Sequence, residues 1–464
     1  MTTGDPVRVL VVGGGITGLT AAYRLAGSGR AAVTLREADD RLGGKIRTTA
    51  FAGLPAVDEG ADAFLLRVPD AIELAEQLGL ADDLAHPTEA RAAVWHDGLH
   101  AIPDGLVLGV PGSVTALARS RLLSRRGKAR AALEPLLPRT SVDHDAIGPL
   151  VRARFGDEVH ERLVDALVGS IYAADTDRFS LDAVPQLASL ARQHRSLLLG
   201  GRRMRRTARA ATAPGPIFAT PRAGTAALVD ALADALAGLD VPLRTGSPVG
   251  RIEADRAAWR VDDETFDRVV LATPARTTAP LVANVAPAAA ELLGATDHAD
   301  VILVTLAIPG DEWPARLHGR SGYLVPKPDQ RSVTAASFGS QKWAHWRPDD
   351  GRQVLRVSLG RDGLPVGHLD DDAVLTAVLD EVGHHLGLDL RPDEVRISRW
   401  PAAFPQYRPH HANRVARLEG SLPAGLHVAG ASHHGIGIPA CVRSATTVAN
   451  EILQDTTSSA DEVR

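Results

Sequence analysis

Gly13-Gly14-Gly15-Ile16-Thr17-Gly18 carries the Gly-x-Gly-x-x-Gly spacing. In such a run the first glycine makes a tight turn and the second lets backbone approach a pyrophosphate. The third packs a helix against a strand. The helix that opens there turns its N-terminal N–H groups toward the phosphates. Glu37 follows 24 residues after Gly13, the place of an acid that accepts hydrogen bonds from ribose hydroxyls. Just beyond it, Arg41-Leu42-Gly43-Gly44-Lys45 lets backbone pass close to a ligand, with Arg41 or Lys45 near phosphate. The plain alternatives are glycines that only punctuate turns and a basic surface turn. No Ser/His/Asp set or carboxylate pair stands at a catalytic spacing, so no catalytic side chain is assigned.

Those residues need elements to hold them. Val7-Arg-Val-Leu-Val-Val12 is a β-branched run, residues 16–28 have helical spacing, and residues 32–36 form a second strand that ends at Glu37. Strand, glycine turn, helix and strand make a βαβ unit with a parallel pair. Further strands are expected at 241–244, 268–272, 300–308, 353–359 and 426–429. Helices are expected at 70–84, 225–236, 372–386 and 440–453, with a mostly helical stretch from 113 to 210. The fold class is therefore α/β: a discontinuous Rossmann-like domain, interrupted by a helical lobe and a mixed-sheet lobe. The expected division assigns 1–85, 215–275 and 420–454 to the nucleotide domain, 86–112 and 276–419 to the sheet lobe, and 113–214 to the helical lobe. A polar tail covers 455–464.

The chain has 464 residues with 51 Lys+Arg against 56 Asp+Glu, so it has no general attraction to nucleic acid or anionic membrane. Only four of its cations are lysines, so arginine is common and a single arginine is weak support for a site. Cys441 is the sole cysteine, which excludes an intramolecular disulfide and cysteine-based metal centres. No metal is expected, although His384-His385, His410-His411 and His433-His434 stand in pairs. The absence of a long apolar run or a signal-peptide pattern predicts no transmembrane segment and a cytoplasmic location.

The Arg-x-Gly-Gly feature resembles that of the flavoprotein family of monoamine oxidases, phytoene desaturases and protoporphyrinogen oxidases, which implies FAD rather than NAD. Gly13–Leu19, Glu37-Ala38, Arg41–Lys45, Gly169–Ser180 and Gly435–Cys441 occur in order, and together they resemble the oxygen-dependent porphyrinogen oxidase branch. Tyr407-x-Pro-x-His411 fits too, except that His410 stands where glycine is usual. The resemblance implies that Gly13 to Gly18 contact the pyrophosphate and that Glu37 and Ala38 contact the adenosine. It places Val249 at the adenine through its backbone. Gly43, Gly44, Lys45 and the run Gly60, Ala61, Asp62 and Ala63 then lie along the ribityl chain and isoalloxazine. Trp400, Gly430, Ile436, Gly437 and Ile438 frame the flavin, with a helix dipole near Ile438 aimed at its N1 edge. Ala61 and Ala63 replace the Pro and Ser of other members, so a side-chain hydrogen bond at 63 is lost.

The implied reaction is the six-electron oxidation of a porphyrinogen, with O2 reoxidising the flavin to give H2O2. It needs a C–H bond held about 3–3.5 Å from the flavin rather than a strong base. Coproporphyrinogen III, with four propionates, would be favoured over protoporphyrinogen IX, with two, by cationic donors at the pocket rim. Arg67 and Arg178 are the candidates for that rim, and Tyr172 for stacking on the substrate. A surface arginine is the plainer reading of each cation, and a buried helix-end residue that of Tyr172. Soluble members of the branch act on coproporphyrinogen. Amine or carotenoid oxidation, or a binding module without cofactor, are the other classes. Arg202-Arg-Met-Arg-Arg206 offers contact with a membrane surface or a downstream ferrochelatase, against the plainer reading of a solvated loop.

Overall fold

The computed structural model describes residues 6–211 and 215–462. Its first sheet is all parallel, in the order Leu243–Arg244, Ala31–Arg36, Val7–Val12, Arg268–Leu271 and Leu426–Val428. Strands drawn from both ends and the middle of the chain thus lie side by side. The Val7–Val12 strand is central, and Val9, Leu10 and Val11 are wholly buried because both faces are covered. The helices Ile16–Gly27, Ala226–Ala237 and Ile438–Glu462 contribute to the core on one face. The antiparallel strands Ile252–Asp255, Ala258–Val261 and Glu264–Phe266 contribute to the core on the other.

The second sheet has seven strands, with Glu394–Pro405 at one edge beside His298–Ile308 and Gln353–Leu359. The helix Asp371–Leu386 packs on this sheet through Val374, Val378 and Val382. A separate core built on Ile147, Phe155, Leu163 and Phe179 belongs to the helical region. Within that region His160–Gly169 is wound as a π-helix, a form that recurs at functional sites.

Several boundaries differ from the sequence reading. The helix expected over 70–84 is Pro69–Gln77, because Gly79 takes φ +75° and ends it before a single 3₁₀ turn at Ala81–Asp83. The Arg202–Arg206 run is not a loop but part of the helix Leu197–Ala211, with Leu197 and Leu198 buried at its start. The closing helix begins at Ile438 and runs to Glu462, so most of the expected polar tail continues it. Residues 212–214, at the expected edge of the helical lobe, and 463–464 lie outside the described residues. No helix among the described residues is long and apolar enough to cross a membrane.

Candidate active site

The carboxyl ends of the parallel strands open onto one crevice, where the Gly13 turn, Thr273 and Gly430 come together. Gly13 lies against Ala272 and Thr273, and Gly430 lies against Thr17. This is the ligand edge of an open parallel sheet. The Ile16–Gly27 helix starts there with no side-chain cap and no acid in its first turn, leaving its first N–H groups for an anion.

The glycines separate into two kinds. A Cβ on Gly18 would sit 1.8 Å from the Gly13 carbonyl oxygen, so glycine is required there by the protein itself. Gly15 has φ −73° and ψ 175°, which suit any residue, and a Cβ there would meet nothing within 4 Å. Nothing inside the protein asks for glycine at 15. A phosphate group lying on the helix N-terminus does, and the residues present fit a dinucleotide.

Glu37 sits where the adenosine end of such a ligand belongs. Its carboxylate accepts from Gly14 N–H at 2.5 Å and Asp39 N–H at 2.9 Å. Ala38 is exposed beside it, and the Ser247 N–H donates to the Glu37 carbonyl at 2.8 Å, which brings the Val249 loop alongside. Arg41 departs from expectation. Its guanidinium donates to the carbonyls of Leu42, Gly44 and Ile46, so it pins its own loop rather than reaching for phosphate. Gly43 and Gly44 both have positive φ, and Gly44 brings that loop against Gly15.

At the other end of the crevice, a Cβ on Gly60 would lie 2.5 Å from the Lys45 carbonyl oxygen and 3.5 Å from the Trp400 ring. The indole N–H of Trp400 donates to the Glu59 carbonyl at 2.9 Å. Asp62 turns its carboxylate to the sheet lobe. Its carboxylate accepts from Lys342 at 2.8 Å and from the Trp343 indole at 3.3 Å. Burial opposes its ionisation, yet Lys342 and Arg356 hold it well below the usual carboxylate range. Ala61 and Ala63 flank it, and the Ala61 carbonyl accepts from Thr225 at 3.0 Å.

The 430–438 turn is fastened from the helical side. The Tyr407 hydroxyl donates to the Ala431 carbonyl and accepts from the Gly435 N–H at 3.0 Å. Its ring stacks on His411 at 3.9 Å and on Phe179 at 5.8 Å, and Phe179 meets Tyr172 at 5.0 Å. A row of aromatic rings therefore links Tyr172 to the turn, with Ile436 packed nearby. Gly437 is exposed at the mouth of the closing helix, while Ile438 is buried under it.

His411 and His433 are buried beneath this turn, and burial lowers their pKa values to about 4 and about 3. A histidine depressed below its unfolded pKa, roughly 6.5, contributes stability above that value and loses it as pH falls toward the folded pKa. Acidification from neutrality to pH 5 should therefore cost roughly 1–2 kcal/mol for each imidazole. Calorimetric melts of His411→Asn and the parent across this range check the assignment: the variant should show a shallower decline. Parallel curves would refute it.

Arg178 is half exposed and donates to Asp362 at 2.7 Å, a carboxylate it shares with Arg408. Arg67 is exposed. Sequence reasoning missed Arg276, which donates to the Ala402 carbonyl on a bulge, and Arg356, which donates to the Gly60 carbonyl. Arg276 lies just past the carboxyl end of the Arg268–Leu271 strand, and that position was the available signal. Among the described residues no cluster of His, Cys, Asp and Glu is arranged to hold a metal ion.

An uncapped helix N-terminus at the edge of a parallel sheet, with a seven-stranded sheet meeting it at Trp400, is the frame of a flavin-dependent oxidoreductase. The chain belongs to the flavin-containing amine oxidoreductase family, whose sequence pattern matches residues 16–453. It is 36% identical to a coproporphyrinogen III oxidase of Mycobacterium tuberculosis, over 97% of this chain and 98% of that one. It is 29% identical to the Bacillus subtilis protein of the same name, over 96% of this chain and 98% of that one. A crystal structure from Exiguobacterium sp. 255-15, described as a protoporphyrinogen oxidase, superposes with TM-score 0.86 at 29% identity, covering 98% of this chain and all of that one. Reduced UDP-galactopyranose mutase shares the fold at TM-score 0.73 and 14% identity, over 97% and 94% of the two chains.

Proposed function

We propose that this enzyme oxidises coproporphyrinogen III to coproporphyrin III, with FAD as its flavin and O2 as the electron acceptor, releasing H2O2. The observation that carries this reading is the end-to-end match to proteins named coproporphyrinogen III oxidase, helical region included. The bound flavin supplies two-electron oxidation of a substrate C–H bond. The chain's own residues bind and orient. In this reading Gly13, Gly14, Gly15, Ile16, Thr17 and Gly18 hold the pyrophosphate, and Glu37, Ala38 and the Val249 backbone hold the adenosine. Lys45, Gly60, Ala61, Ala63, Trp400, Gly430, Ile436, Gly437 and Ile438 line the flavin ring. Tyr172, at the outer end of the aromatic row, meets the macrocycle. The nucleotide domain then comprises 1–85, 215–275 and 420–454, with 86–112 and 276–419 as substrate sheet and 113–214 as helical lobe. Cytoplasmic placement and a transient contact with a ferrochelatase belong to the same reading.

The structural relative described as a protoporphyrinogen oxidase favours a second substrate, protoporphyrinogen IX. Comparison of kcat/KM for the two porphyrinogens, followed as porphyrin fluorescence with H2O2 release, separates them. The coproporphyrinogen reading expects a clear preference for the four-propionate substrate. It also expects Arg67→Ala to keep its flavin and raise KM about tenfold, the worth of one charge-assisted hydrogen bond. Failure of coproporphyrinogen to bleach the flavin anaerobically would sink the proposal.

A further inference from the structure

Four separate pieces of chain meet around Lys45. Its neighbour Gly44 closes on Gly15, and Gly60 closes on the Lys45 carbonyl. The Lys45 ammonium donates to the Ala403 carbonyl, and the Cys441 thiol in the closing helix lies within its electrostatic reach. Arg276 donates to the adjacent carbonyl, Ala402, at 2.6 Å.

The two accepting carbonyls stand on a β-bulge. Ala299 pairs with Phe404 and Val301 with Trp400, so residues 401–403 oppose Asp300 alone. Ala402 takes φ +47°, a left-handed conformation that a non-glycine residue adopts at a cost, and its N–H donates to Asp300 at 2.6 Å. The bulge is strained into offering consecutive carbonyls to two cations.

Among the described residues neither cation makes an ion pair with a carboxylate. The groups acting on Lys45 are Arg276 and the Cys441 thiol, with no carboxylate among them. Burial and Arg276 push Lys45 down to about 8. His298 adds none: burial, Arg276 and Lys45 all disfavour its charged form, and its buried Nε2 has no partner. Yet Lys45 is solvent-accessible, so its side chain borders open space instead of being sealed in packing. Fixed positive charge held by carbonyl dipoles, facing open space, suits a place where negative charge arrives only during reaction.

We propose that Lys45, with Arg276 behind it, is the fixed cation that stabilises the negative charge a bound flavin acquires on reduction. The inference rests on the flavin reading above and adds an electrostatic task to a residue otherwise assigned to contact alone.

Sulfite adds to oxidised flavin as an anion and reports this field without turnover. The parent, Lys45→Met and Lys45→Arg proteins are compared at neutral pH for flavin content, sulfite affinity and flavin midpoint potential. The Met variant should bind sulfite at least about tenfold more weakly and lose about 30 mV of two-electron potential for each tenfold. The Arg variant, which keeps the charge, should stay close to the parent. Should the Met protein emerge without flavin, titration with oxidised and dithionite-reduced FAD gives the same comparison, and its preference for the reduced form should fall about tenfold. Unchanged sulfite affinity, potential or preference in the Met variant overturns the role of Lys45 and leaves the flavin reading standing. A parent protein that takes up no flavin overturns both.

Discussion

Gly15→Val yields a folded, colourless protein. The backbone at 15 accepts a side chain without strain, and the added carbons project into open space, so the fold should melt close to the parent. That same space is where the pyrophosphate must lie against the helix N-terminus. Flavin affinity should fall by at least about a hundredfold, equivalent to roughly 2.7 kcal/mol of binding free energy. Gly18→Val is the informative contrast, because its Cβ would lie 1.8 Å from the Gly13 carbonyl oxygen and the helix would be forced off the strand. It should lose both stability and flavin. Visible absorbance of the purified proteins beside their thermal melts separates the two outcomes. A yellow Gly15→Val protein would remove the dinucleotide from the crevice.

Arg361→Met destabilises the protein by about 3–5 kcal/mol, the cost of leaving a buried carboxylate unpaired. Asp165 in the π-helix is wholly buried and receives two parallel bonds from Arg361, at 2.7 and 2.8 Å. The Thr176 hydroxyl adds a third at 2.6 Å, and the His160 imidazole in turn contacts that hydroxyl at 2.8 Å. Burial opposes the charge on Asp165, but Arg361 and Thr176 hold its carboxyl below the usual range. The pair joins the helical region to the end of the Gln353–Leu359 strand, beside the Tyr172 turn. The double variant Asp165→Leu/Arg361→Met should recover a large part of the loss, since removal of both charges leaves neither stranded. Calorimetric midpoints of the three proteins decide the matter. Additive losses in the double variant would show that the two side chains act independently.

The crevice was legible where its signals are local. Glycine spacing, an acid at the end of the second strand and a glycine pair beyond it are written within residues 13–45, and each maps to a turn or close approach in the fold. The closing turn near Gly430 was legible for the same reason. What stayed hidden depends on partners far apart in sequence. Asp62 reads as part of a glycine-bearing loop, and its carboxylate's partners Lys342 and Trp343 come from the distant sheet lobe. Arg178 reads as a lone rim cation, and its bond to Asp362 is invisible in the sequence. Arg276 is one arginine among 47, and only its place just past the Arg268–Leu271 strand marks it. The bulge at 401–403 leaves no period to count. His410, read as a departure from a glycine-bearing motif, takes φ +64°, and the left-handed backbone accounts for the glycine elsewhere.

The interleaving of the parallel sheet has a consequence for synthesis. Leu426–Val428 and the helix that follows are made after the other four strands of that sheet, yet they complete its edge and part of its core. Until then the emerging polypeptide leaves one edge of the Arg268–Leu271 strand unpaired, the kind of surface that invites aggregation. Completion of the sheet edge thereby waits on its last-made strand, and a chain stalled before Leu426 should hold no flavin.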